Sequence, residues 1–409
     1  MESPSVPARM FEIPDDLSDF LEDSEGMALI WTNLVPLFKS HGYLLYPREP
    51  LITLKRSDFT PYTLSKDPVM YPFAYASDRR LQGRLIQLLK PTLFLGINDS
   101  QRDIVIKLLF NNSEEQEAAI LKRLMSEPLR SDPLNTVVPI LDLLSYNERY
   151  SFVVMPRWGS AYSLHTRGFD CLGTAFEFTL CVLKALTFLH KNLIAHRDIK
   201  LDNVLINCYN TEQYDFDYRP FFRSQRTRFV LCDFGESIMF PPDTPPSARL
   251  CPASESDIGT CRYHPPDATN GAEMYDPFAF DVACLGGLLC EVIGYMTPLA
   301  PLLAPFLDRM ITLDLTTRYT AAEALQAFIE LMKNYSTDHL ATPAPDPPER
   351  GFFVWQAHDR WTGLPEDFVR EHTRNHTPVK PKRKIQLLTG TTYFIDGDAV
   401  DYGESGSSA

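Results

Sequence analysis

The chain has 409 residues, 44% of them hydrophobic and 22% charged, a composition that excludes a wholly disordered or fibrous protein. Its 39 Lys plus Arg and 53 Asp plus Glu leave a formal net charge of −14, whereas nonspecific nucleic-acid binding needs a basic surface. The longest apolar stretch, Val282–Cys290, has nine residues, and a membrane span needs about 20. We therefore expect neither a nucleic acid nor a membrane as partner.

The cysteines are scattered, and no two of the eight are separated by only two residues, so zinc-ribbon and dithiol redox spacings are missing. This pattern indicates buried thiols in a reducing compartment. The acidic, proline-containing start does not resemble a secretion signal. We expect a cytoplasmic protein. Residues 380–384 read KPKRK and resemble a short nuclear-import signal, with a solvated charge cluster as the alternative.

The first part of the chain is predicted to be rich in strands. Residues 1–26 are rich in Pro, Ser and acids and are expected to be mobile. Apolar residues recur at helical spacing from Met27 to Phe38, with Pro36 as an internal breaker, and this helix is expected to pack on the main domain rather than bind a partner. Strands are predicted at Leu81–Leu89, Thr92–Ile97, Asp103–Phe110, Val137–Leu144 and Tyr150–Met155, with a helix at Glu114–Leu124.

Helices dominate after about residue 157. The segments Thr174–Lys191, Ala279–Met296 and Ala321–Met332 each show the apolar period of a helix. Strands followed by helices predict an α+β protein with two subdomains. Residues 342–350 are proline-rich and linker-like, and a Gly/Ser/acid tail begins at about Asp396.

Three motifs indicate chemistry. Residues 105–107 read VIK within a predicted strand, His196–Asn203 reads HRDIKLDN, and residues 231–235 read LCDFG. In this order they resemble the third-strand lysine, the catalytic loop and the magnesium motif of eukaryotic-type protein kinases. The resemblance covers about residues 80–335, and the terminal extensions resemble those of divergent fungal kinase-like proteins. It implies a bilobal protein-kinase-like fold, with a small antiparallel-sheet N-lobe plus one helix and a larger, mainly helical C-lobe.

The resemblance implies roles in phosphoryl transfer from ATP. Asp198 would orient the acceptor hydroxyl and take its proton, and Lys200 would approach the γ-phosphate. A Lys at this place resembles the serine/threonine-specific branch. Asn203 and Asp233 would hold Mg²⁺, which prefers oxygen ligands. Lys107 would bind the α- and β-phosphates of ATP.

Lys107 needs a carboxylate to fix its side chain. Glu117 on the following helix has the place of the family's pairing glutamate, with Glu114 and Glu115 as competitors. The connection at residues 156–158 resembles the hinge that contacts adenine through backbone groups. The nucleotide-binding residues assigned around it are Met155, Arg157 and Trp158.

Further residues are assigned structural or regulatory roles by the same resemblance. Residues 259–267 resemble the substrate-receiving loop, in which Thr260 would contact the catalytic Asp and Lys. Asp267 replaces the family's closing Glu, and Arg318 has the place of its partner. Asp281 matches a buried acid that anchors the backbone of the catalytic loop. The remaining motif residues in this group are His196, Arg197, Phe234 and Gly235.

The sequence departs from the family pattern in two places. A glycine-rich loop is expected between the first two strands, but residues 85–96 read LIQLLKPTLFLG, which predicts a poorer or differently shaped lid over ATP. Residues 208–228 form an insertion rich in Tyr and Phe, interpreted as a surface insertion or a docking loop.

Kinases with an Arg before the catalytic Asp often use it to hold a phosphate, so we expect an upstream kinase to act near Ser254 or Ser256.

These features predict an ATP- and Mg²⁺-dependent kinase that phosphorylates Ser or Thr hydroxyls of protein substrates. The alternative is a pseudokinase, a scaffold or allosteric regulator with weak nucleotide binding, and a small-molecule kinase is a third hypothesis. The predicted domains are an N-terminal extension, partly disordered (1–79), a kinase N-lobe (80–157), a kinase C-lobe (158–335) and a C-terminal extension with a disordered tail (336–409).

Overall fold

The structure is a computed structural model that describes residues 24–46, 48–49, 53–55, 71–76, 85–87, 91–111, 116–209, 217–224, 227–256, 263, 265, 268, 273–348, 359–372, 383–386 and 392–395. The chain forms two compact units. The first comprises Met1–Ser163, Phe188–His196 and Asp202–Asp243, and the second comprises Leu164–Thr187, Arg197–Leu201 and Thr244–Ala409.

The described strands and helices follow the predicted division of the chain. The strands are β1 (Tyr43–Leu45), β2 (Arg48–Glu49), β3 (Thr53–Lys55), β4 (Tyr75–Ala76), β5 (Leu85–Gln87), β6 (Leu93–Asn98), β7 (Asp103–Phe110), β8 (Asp142–Ser145), β9 (Tyr150–Pro156), β10 (Gly159–Ser160), β11 (Ile194–Ala195), β12 (Val204–Ile206), β13 (Cys208–Tyr209), β14 (Phe229–Leu231), β15 (Ile238–Met239), β16 (Cys251–Pro252), β17 (Met274–Tyr275), β18 (Arg383–Gln386) and β19 (Thr392–Ile395). The helices are α1 (Ser24–Ser40), α2 (Glu117–Met125), α3 (Leu164–Arg167), α4 (Leu172–Lys191), α5 (Arg219–Ser224), α6 (Pro277–Ile293), α7 (Leu303–Ile311), α8 (Ala321–Met332), α9 (Thr337–Leu340) and α10 (Glu366–His372).

The first unit is built on a five-stranded antiparallel sheet with the order β1-β6-β7-β9-β8. The central strand β7 contains the β-branched run Ile104–Ile106, which suits a buried strand. Successive side chains of a strand point to opposite faces, so Ile104 and Ile106 enter the core while Lys107 lies on the other face.

Helix α1 covers the core face of this sheet. Met27, Ile30, Trp31, Leu34 and Phe38 form one apolar stripe at helical spacing, and all five side chains are buried against sheet residues. The expectation that this helix packs on the main domain is confirmed. The expectation that Pro36 breaks it is wrong, because the helix continues to Ser40 and its proline sacrifices only one hydrogen bond near the end.

The expectation that Leu81–Leu89 forms the strand before β6 in this sheet is wrong. Strand β5 lies in that range but pairs with β3 in a separate sheet ordered β2-β3-β5, and β1 occupies the edge beside β6. The reason is positional, because β1 follows directly after α1 and shares its core. The expected glycine-loop segment, residues 85–96, therefore does not connect two neighbouring strands of the main sheet. The domain boundary after residue 79 stays a prediction.

The segment that carries β4 meets the insertion at residues 208–228 in the first unit. Strand β4 runs parallel to β13, and Tyr75 N–H donates to the carbonyl of Asn207 over 2.9 Å. Tyr209, Tyr218 and Phe222 of the insertion are buried, so its described part packs within the unit. The remaining aromatic residues of the insertion at 210–216 lie outside the described residues.

The second unit is mainly helical. Asp276 caps α6 by accepting hydrogen bonds from Phe278 N and Ala279 N, and Thr320 with Glu323 forms a capping box at the start of α8. Phe328 of α8 packs against aromatic rings from α4 and α7. Two helical segments, Leu172–Lys191 and Pro277–Met296, are long and apolar enough to cross a membrane. However, 72% and 83% of their apolar 18-residue stretches are buried inside the protein, as in core helices.

A C-terminal segment, residues 359–372, is anchored to α7. Arg360 forms an ion pair with Asp308, and Trp361 Nε1–H donates to the other carboxylate oxygen of Asp308 over 2.9 Å. Trp361 and Leu364 also pack on Ala304. The seven described cysteines form no disulfide bond, and the reducing compartment stays a prediction.

Candidate active site

The residues predicted to act in phosphoryl transfer divide between the two units. Lys107, Glu117, Asn203 and Asp233 belong to the first unit, with the predicted hinge. Asp198 and Lys200 belong to the second unit, with Arg197, Asp281 and Arg318. The chain joins the two sets through the continuous segment His196–Asn203.

Lys107 contacts two carboxylates in the first unit. Its Nζ lies 2.7 Å from Glu117 Oε1 and 2.8 Å from Asp233 Oδ1, and its side chain is only 15% exposed. Burial alone would lower the pKa of Lys107, but the charges of Glu117 and Asp233 raise it above its ordinary value. The lysine is therefore held as a fixed cation that can bind phosphate oxygens.

Glu117 reaches Lys107 because of its place on α2. It shares the buried stripe of that helix with Ile120, Leu121 and Leu124, at positions i, i+3, i+4 and i+7. Its Oε1 also accepts a hydrogen bond from Phe234 N over 3.3 Å. The predicted partner of Lys107 is therefore in contact with it, while residues 114 and 115 lie outside the described residues.

The two residues predicted to hold Mg²⁺ lie at the same end of one strand pair. Strands β12 and β14 are antiparallel with Val204 opposite Leu231, so Asn203 precedes one strand and Asp233 follows the other. Cys232 N–H donates to the carbonyl of Asn203 over 2.9 Å and keeps the two ends together. An amide and a carboxylate oxygen form a donor set that suits Mg²⁺.

The backbone at Asp233 adopts the left-handed conformation, with φ of 67°. Asp tolerates this region better than most residues, although the conformation still costs about 1–2 kcal/mol. Phe234 is buried beside the ring of His196, whose Nε2 lies 3.1 Å from the carbonyl of Cys232. His196 thus ties the start of the catalytic loop to the magnesium motif, whereas Gly235 is exposed.

In the second unit, Asp198 is paired with Lys200. Lys200 Nζ lies 2.6 Å from Asp198 Oδ2, and the two side chains are 15% and 7% exposed. Lys200 therefore contacts the Asp198 carboxylate directly, although only one residue separates them in the chain. The pair places a positive charge beside the group predicted to receive a hydroxyl proton, where a developing negative charge would be stabilised.

Arg197 is held through both its backbone and its side chain. Its φ is 64°, an unfavourable value for arginine, and its N–H donates to Asp281 Oδ1 over 2.7 Å. Its Nη1 lies 2.8 Å from Glu255 Oε2. Burial alone would lower the pKa of the guanidinium, but Tyr275 and Glu255 together outweigh burial and raise the pKa above its ordinary value. The positive charge is therefore retained.

Asp281 and Arg318 both bind backbone groups within the second unit. Asp281 is fully buried on α6 and accepts from the backbone of the catalytic loop, the position that the resemblance implies. Arg318 donates to the carbonyls of Thr312 and Ala279. Its expected partner Asp267, like Thr260 of the substrate-receiving loop, lies outside the described residues.

The predicted hinge packs against two other parts of the first unit, one containing Pro72 and one containing Tyr209. Arg157 N–H donates to the carbonyl of Asp103 over 3.0 Å, and its guanidinium lies 4.7 Å from the centroid of the Tyr209 ring. Trp158 Nε1–H donates to the carbonyl of Pro72 over 2.8 Å. Met155 lies on β9 opposite Val105, two residues before Lys107 on β7. The side chains of Arg157 and Trp158 therefore have structural contacts.

Sequence reasoning missed two polar residues near the site, of which Glu255 contacts a predicted motif. Glu255 pairs with Arg197, and Gln116 accepts a hydrogen bond from Met239 N over 2.8 Å, joining the start of α2 to β15. Glu255 carries a sequence signal, because it lies between the two serines considered for phosphorylation. Gln116 carries none.

Comparison with known proteins agrees with this geometry. The protein kinase domain family matches residues 93–301, slightly more than half of the chain. The serine/threonine-protein kinase KIN4 of Saccharomyces cerevisiae is 25% identical over 186 residues, covering 42% of this chain and 23% of the yeast protein. The serine/threonine-protein kinase CLA4 of Candida albicans is 29% identical over 137 residues, covering 32% and 14%. Human mitogen-activated protein kinase kinase kinase 6 is 26% identical over 217 residues, covering 52% and 14%.

The matched region spans less than a quarter of the length of each of these relatives. The family match at residues 93–301 includes all three motifs, from Lys107 through the catalytic loop to Asp233. The predicted α+β kinase fold is confirmed. The chain belongs to the protein kinase domain family and resembles its serine/threonine-specific members.

Proposed function

We propose that this chain is an active protein kinase that transfers the γ-phosphoryl group of ATP to Ser or Thr hydroxyls of protein substrates. The observation that carries the proposal is the contact of Lys107 with both Glu117 and Asp233. A catalytically competent kinase needs this lysine–glutamate ion pair and the metal-binding aspartate in place together. The contact holds together the residues that phosphoryl transfer requires.

The residues present suit Mg²⁺ and ATP phosphates. Asn203 and Asp233 would supply oxygen ligands to Mg²⁺, and Lys107 would bind the α- and β-phosphates. When bound, Mg²⁺ would neutralise negative charge on the phosphates. In the hinge, Pro156 has no N–H and that of Arg157 is bonded to Asp103, so we assign the backbone donor for adenine to Trp158.

Asp198 is the group proposed to receive the proton. The substrate hydroxyl oxygen would attack the γ-phosphorus and form a new P–O bond, while the bond from that phosphorus to the β–γ bridging oxygen breaks. ADP leaves with the electron pair of the broken bond, and the hydroxyl proton passes to Asp198. Lys200, already 2.6 Å from Asp198, would stabilise charge on the transferring group.

The test is Mg²⁺-dependent ADP formation and autophosphorylation by the purified chain, compared with Asp198→Asn. The matched control is Asp243→Asn, which changes an exposed aspartate to the same residue. We expect activity in the wild type and control, and a loss of about 10³-fold or more in Asp198→Asn. If none of the three proteins forms ADP or autophosphorylates, and Mg²⁺ with ATP does not raise the melting temperature, the pseudokinase scaffold would be favoured.

Phosphorylation near Glu255 by an upstream kinase and nuclear import remain proposals. Ser254 is exposed, while Ser256 is buried with its hydroxyl donating to the carbonyl of Ala253, so Ser254 is the better acceptor. Phosphosite mapping on protein from cells would test this. For import, a fluorescent fusion of the full chain should lose nuclear signal when Lys380, Lys382 and Lys384 are replaced by Ala.

A further inference from the structure

Arg197 joins two parts of the second unit. Its backbone, in an unfavourable left-handed conformation, is fixed by Asp281 on α6, and Asp198 follows it directly in the chain. Its side chain is only 13% exposed, and its Nη1 lies 2.8 Å from Glu255 Oε2. The residue that precedes Asp198 is therefore bound to α6 through its backbone and to Glu255 through its side chain.

Glu255 is held in a defined turn. It ends the 3₁₀ turn Ala253–Glu255, and Ala253 N–H donates to the carbonyl of Glu273 over 3.0 Å next to the β16–β17 pair. Tyr275 of β17 and Cys251 of β16 also interact with Arg197. The carboxylate is thus part of a built contact around the guanidinium.

The turn Ala253–Glu255 belongs to the segment that follows the magnesium motif and leads to the substrate-receiving loop, residues 236–258. In protein kinases this segment is often ordered by phosphorylation, when a new phosphate pairs with an arginine. In this chain Arg197 already has an anionic partner supplied by the same segment. Ser256, beside Glu255, is 3% exposed and donates its hydroxyl to the carbonyls of Ala253 and Ala268, so it cannot readily accept a phosphate in this conformation.

We propose that Glu255 takes the place of a phosphate on this segment and is a positioning residue for Asp198, acting through Arg197. The chain is then active without phosphorylation of the segment. This inference rests on the proposed kinase function. It assigns Glu255 no contact with substrate or nucleotide, so its loss should lower kcat with little change in the KM for ATP.

The test uses phosphatase-treated full chain and the variants Glu255→Gln, Glu255→Asp and Arg197→Gln, with the Glu255→Gln/Arg197→Gln double variant. Glu273→Gln is the matched control, because Glu273 is an exposed glutamate of the same hairpin. Melting temperatures confirm that each variant folds. The double variant tests the coupling, since residues that act through one contact are not additive.

We expect phosphatase treatment to leave wild-type kcat unchanged and Glu255→Gln to lower it about tenfold, the size expected from losing a charge-assisted hydrogen bond. The KM for ATP should stay within about twofold. Glu255→Asp, with its charge kept and its reach shortened, should retain an intermediate kcat. The double variant should lose no more than Arg197→Gln alone.

The inference is overturned if wild-type activity disappears on phosphatase treatment and returns on phosphorylation of Ser254, which would make an upstream kinase necessary. It is also overturned if Glu255→Gln behaves like Glu273→Gln. An inactive wild type, equal to Asp198→Asn, would instead reject the proposed function, and a positioning role would fall with it. The active and inactive wild-type outcomes distinguish the two failures.

Discussion

The backbone N–H of Cys232 donates to the carbonyl of Asn203 over 2.9 Å. This bond continues the β12–β14 ladder by one step and brings the predicted magnesium ligands Asn203 and Asp233 to the same end of it. Two residues that are 30 positions apart in the sequence are thus placed by a local antiparallel pairing. Their placement depends on strand register, since a slip by one residue would turn the side chains to opposite faces.

Asp233→Asn should abolish the stabilisation of the protein by Mg²⁺ and ATP. The substitution removes a hard anionic ligand and one of the two carboxylates that hold Lys107. At ligand concentrations about 100-fold above Kd, the wild type should gain about 2–3 kcal/mol in free energy of unfolding. The measurement is the melting temperature with and without Mg²⁺ and ATP. A shift in Asp233→Asn equal to that of the Asp243→Asn control would contradict the assignment.

Lys107→Met should destabilise the first unit by about 3 kcal/mol, because it leaves Glu117 and Asp233 close together without their cation. The pKa of Lys107 is raised above its ordinary value of 10.5, so the stabilising contribution of this lysine is complete below pH 10.5 and is lost only above the folded-state pKa.

The measured loss for Lys107→Met should therefore be the same from about pH 7 to 9 in urea unfolding experiments. Lys122→Met serves as the control, because Lys122 is an exposed lysine of α2. A loss that shrinks steadily across this range would show that Lys107 is titrating, in conflict with its two-carboxylate contact.

Trp31→Ala should cost about 3–5 kcal/mol in free energy of unfolding, the usual range for removing a buried tryptophan. Trp31 packs against the rings of Phe38, Phe94 and Phe152, and its Nε1–H donates to the carbonyl of Pro91. Val35→Ala, on the exposed side of α1, should change stability by less than about 0.5 kcal/mol. Equal effects of the two substitutions in urea unfolding would mean that α1 is not part of the core.

Asp308→Asn should destabilise the second unit by about 3–5 kcal/mol, because the buried Arg360 would keep its charge without its anionic partner. The exposed Asp367→Asn on the same C-terminal segment is the control. Limited proteolysis should cut residues 359–372 faster in Asp308→Asn than in the control. Unchanged cleavage and stability would argue that this segment is not anchored through Asp308.

Cys290 should make stability fall at alkaline pH. Burial raises the pKa of its thiol to about 11 from an ordinary value of 9.0, with Arg360 opposing the rise and Asp308 assisting it. The unfolded chain loses this proton first, so the folded state binds more protons and the free energy of unfolding falls by about 2–3 kcal/mol between about pH 9 and 11. Comparison with Cys290→Ala isolates this contribution. Parallel pH curves for the two proteins would rule it out.

The catalytic motifs could be predicted because they combine local patterns. Asp103–Phe110 is a strand by its β-branched run, and alternation along it turns Lys107 away from the core side. Glu117 shares a helical stripe with buried leucines, which favours its contact with the sheet. The pairing of Lys107 with Glu117 was implied by the family resemblance, and these two local patterns agree with it.

The pairing of separate elements could not be predicted in the same way. Strand β1 rather than β5 lies beside β6, and β4 pairs with β13 across more than a hundred residues. Short strands of two or three residues carry too little periodicity to specify a partner. For β1 the edge is decided by the core that it shares with α1.

The sequence by itself determined the residue types of the site and most of the elements that carry them, because motifs and apolar periods lie along the chain, and its motifs carried the resemblance to the family. The tertiary structure decided the contact of Glu255 with Arg197 and the anchoring of residues 359–372 by Asp308. Both contacts join segments more than fifty residues apart, and their stability depends on burial and charge partners that exist only after the chain has folded.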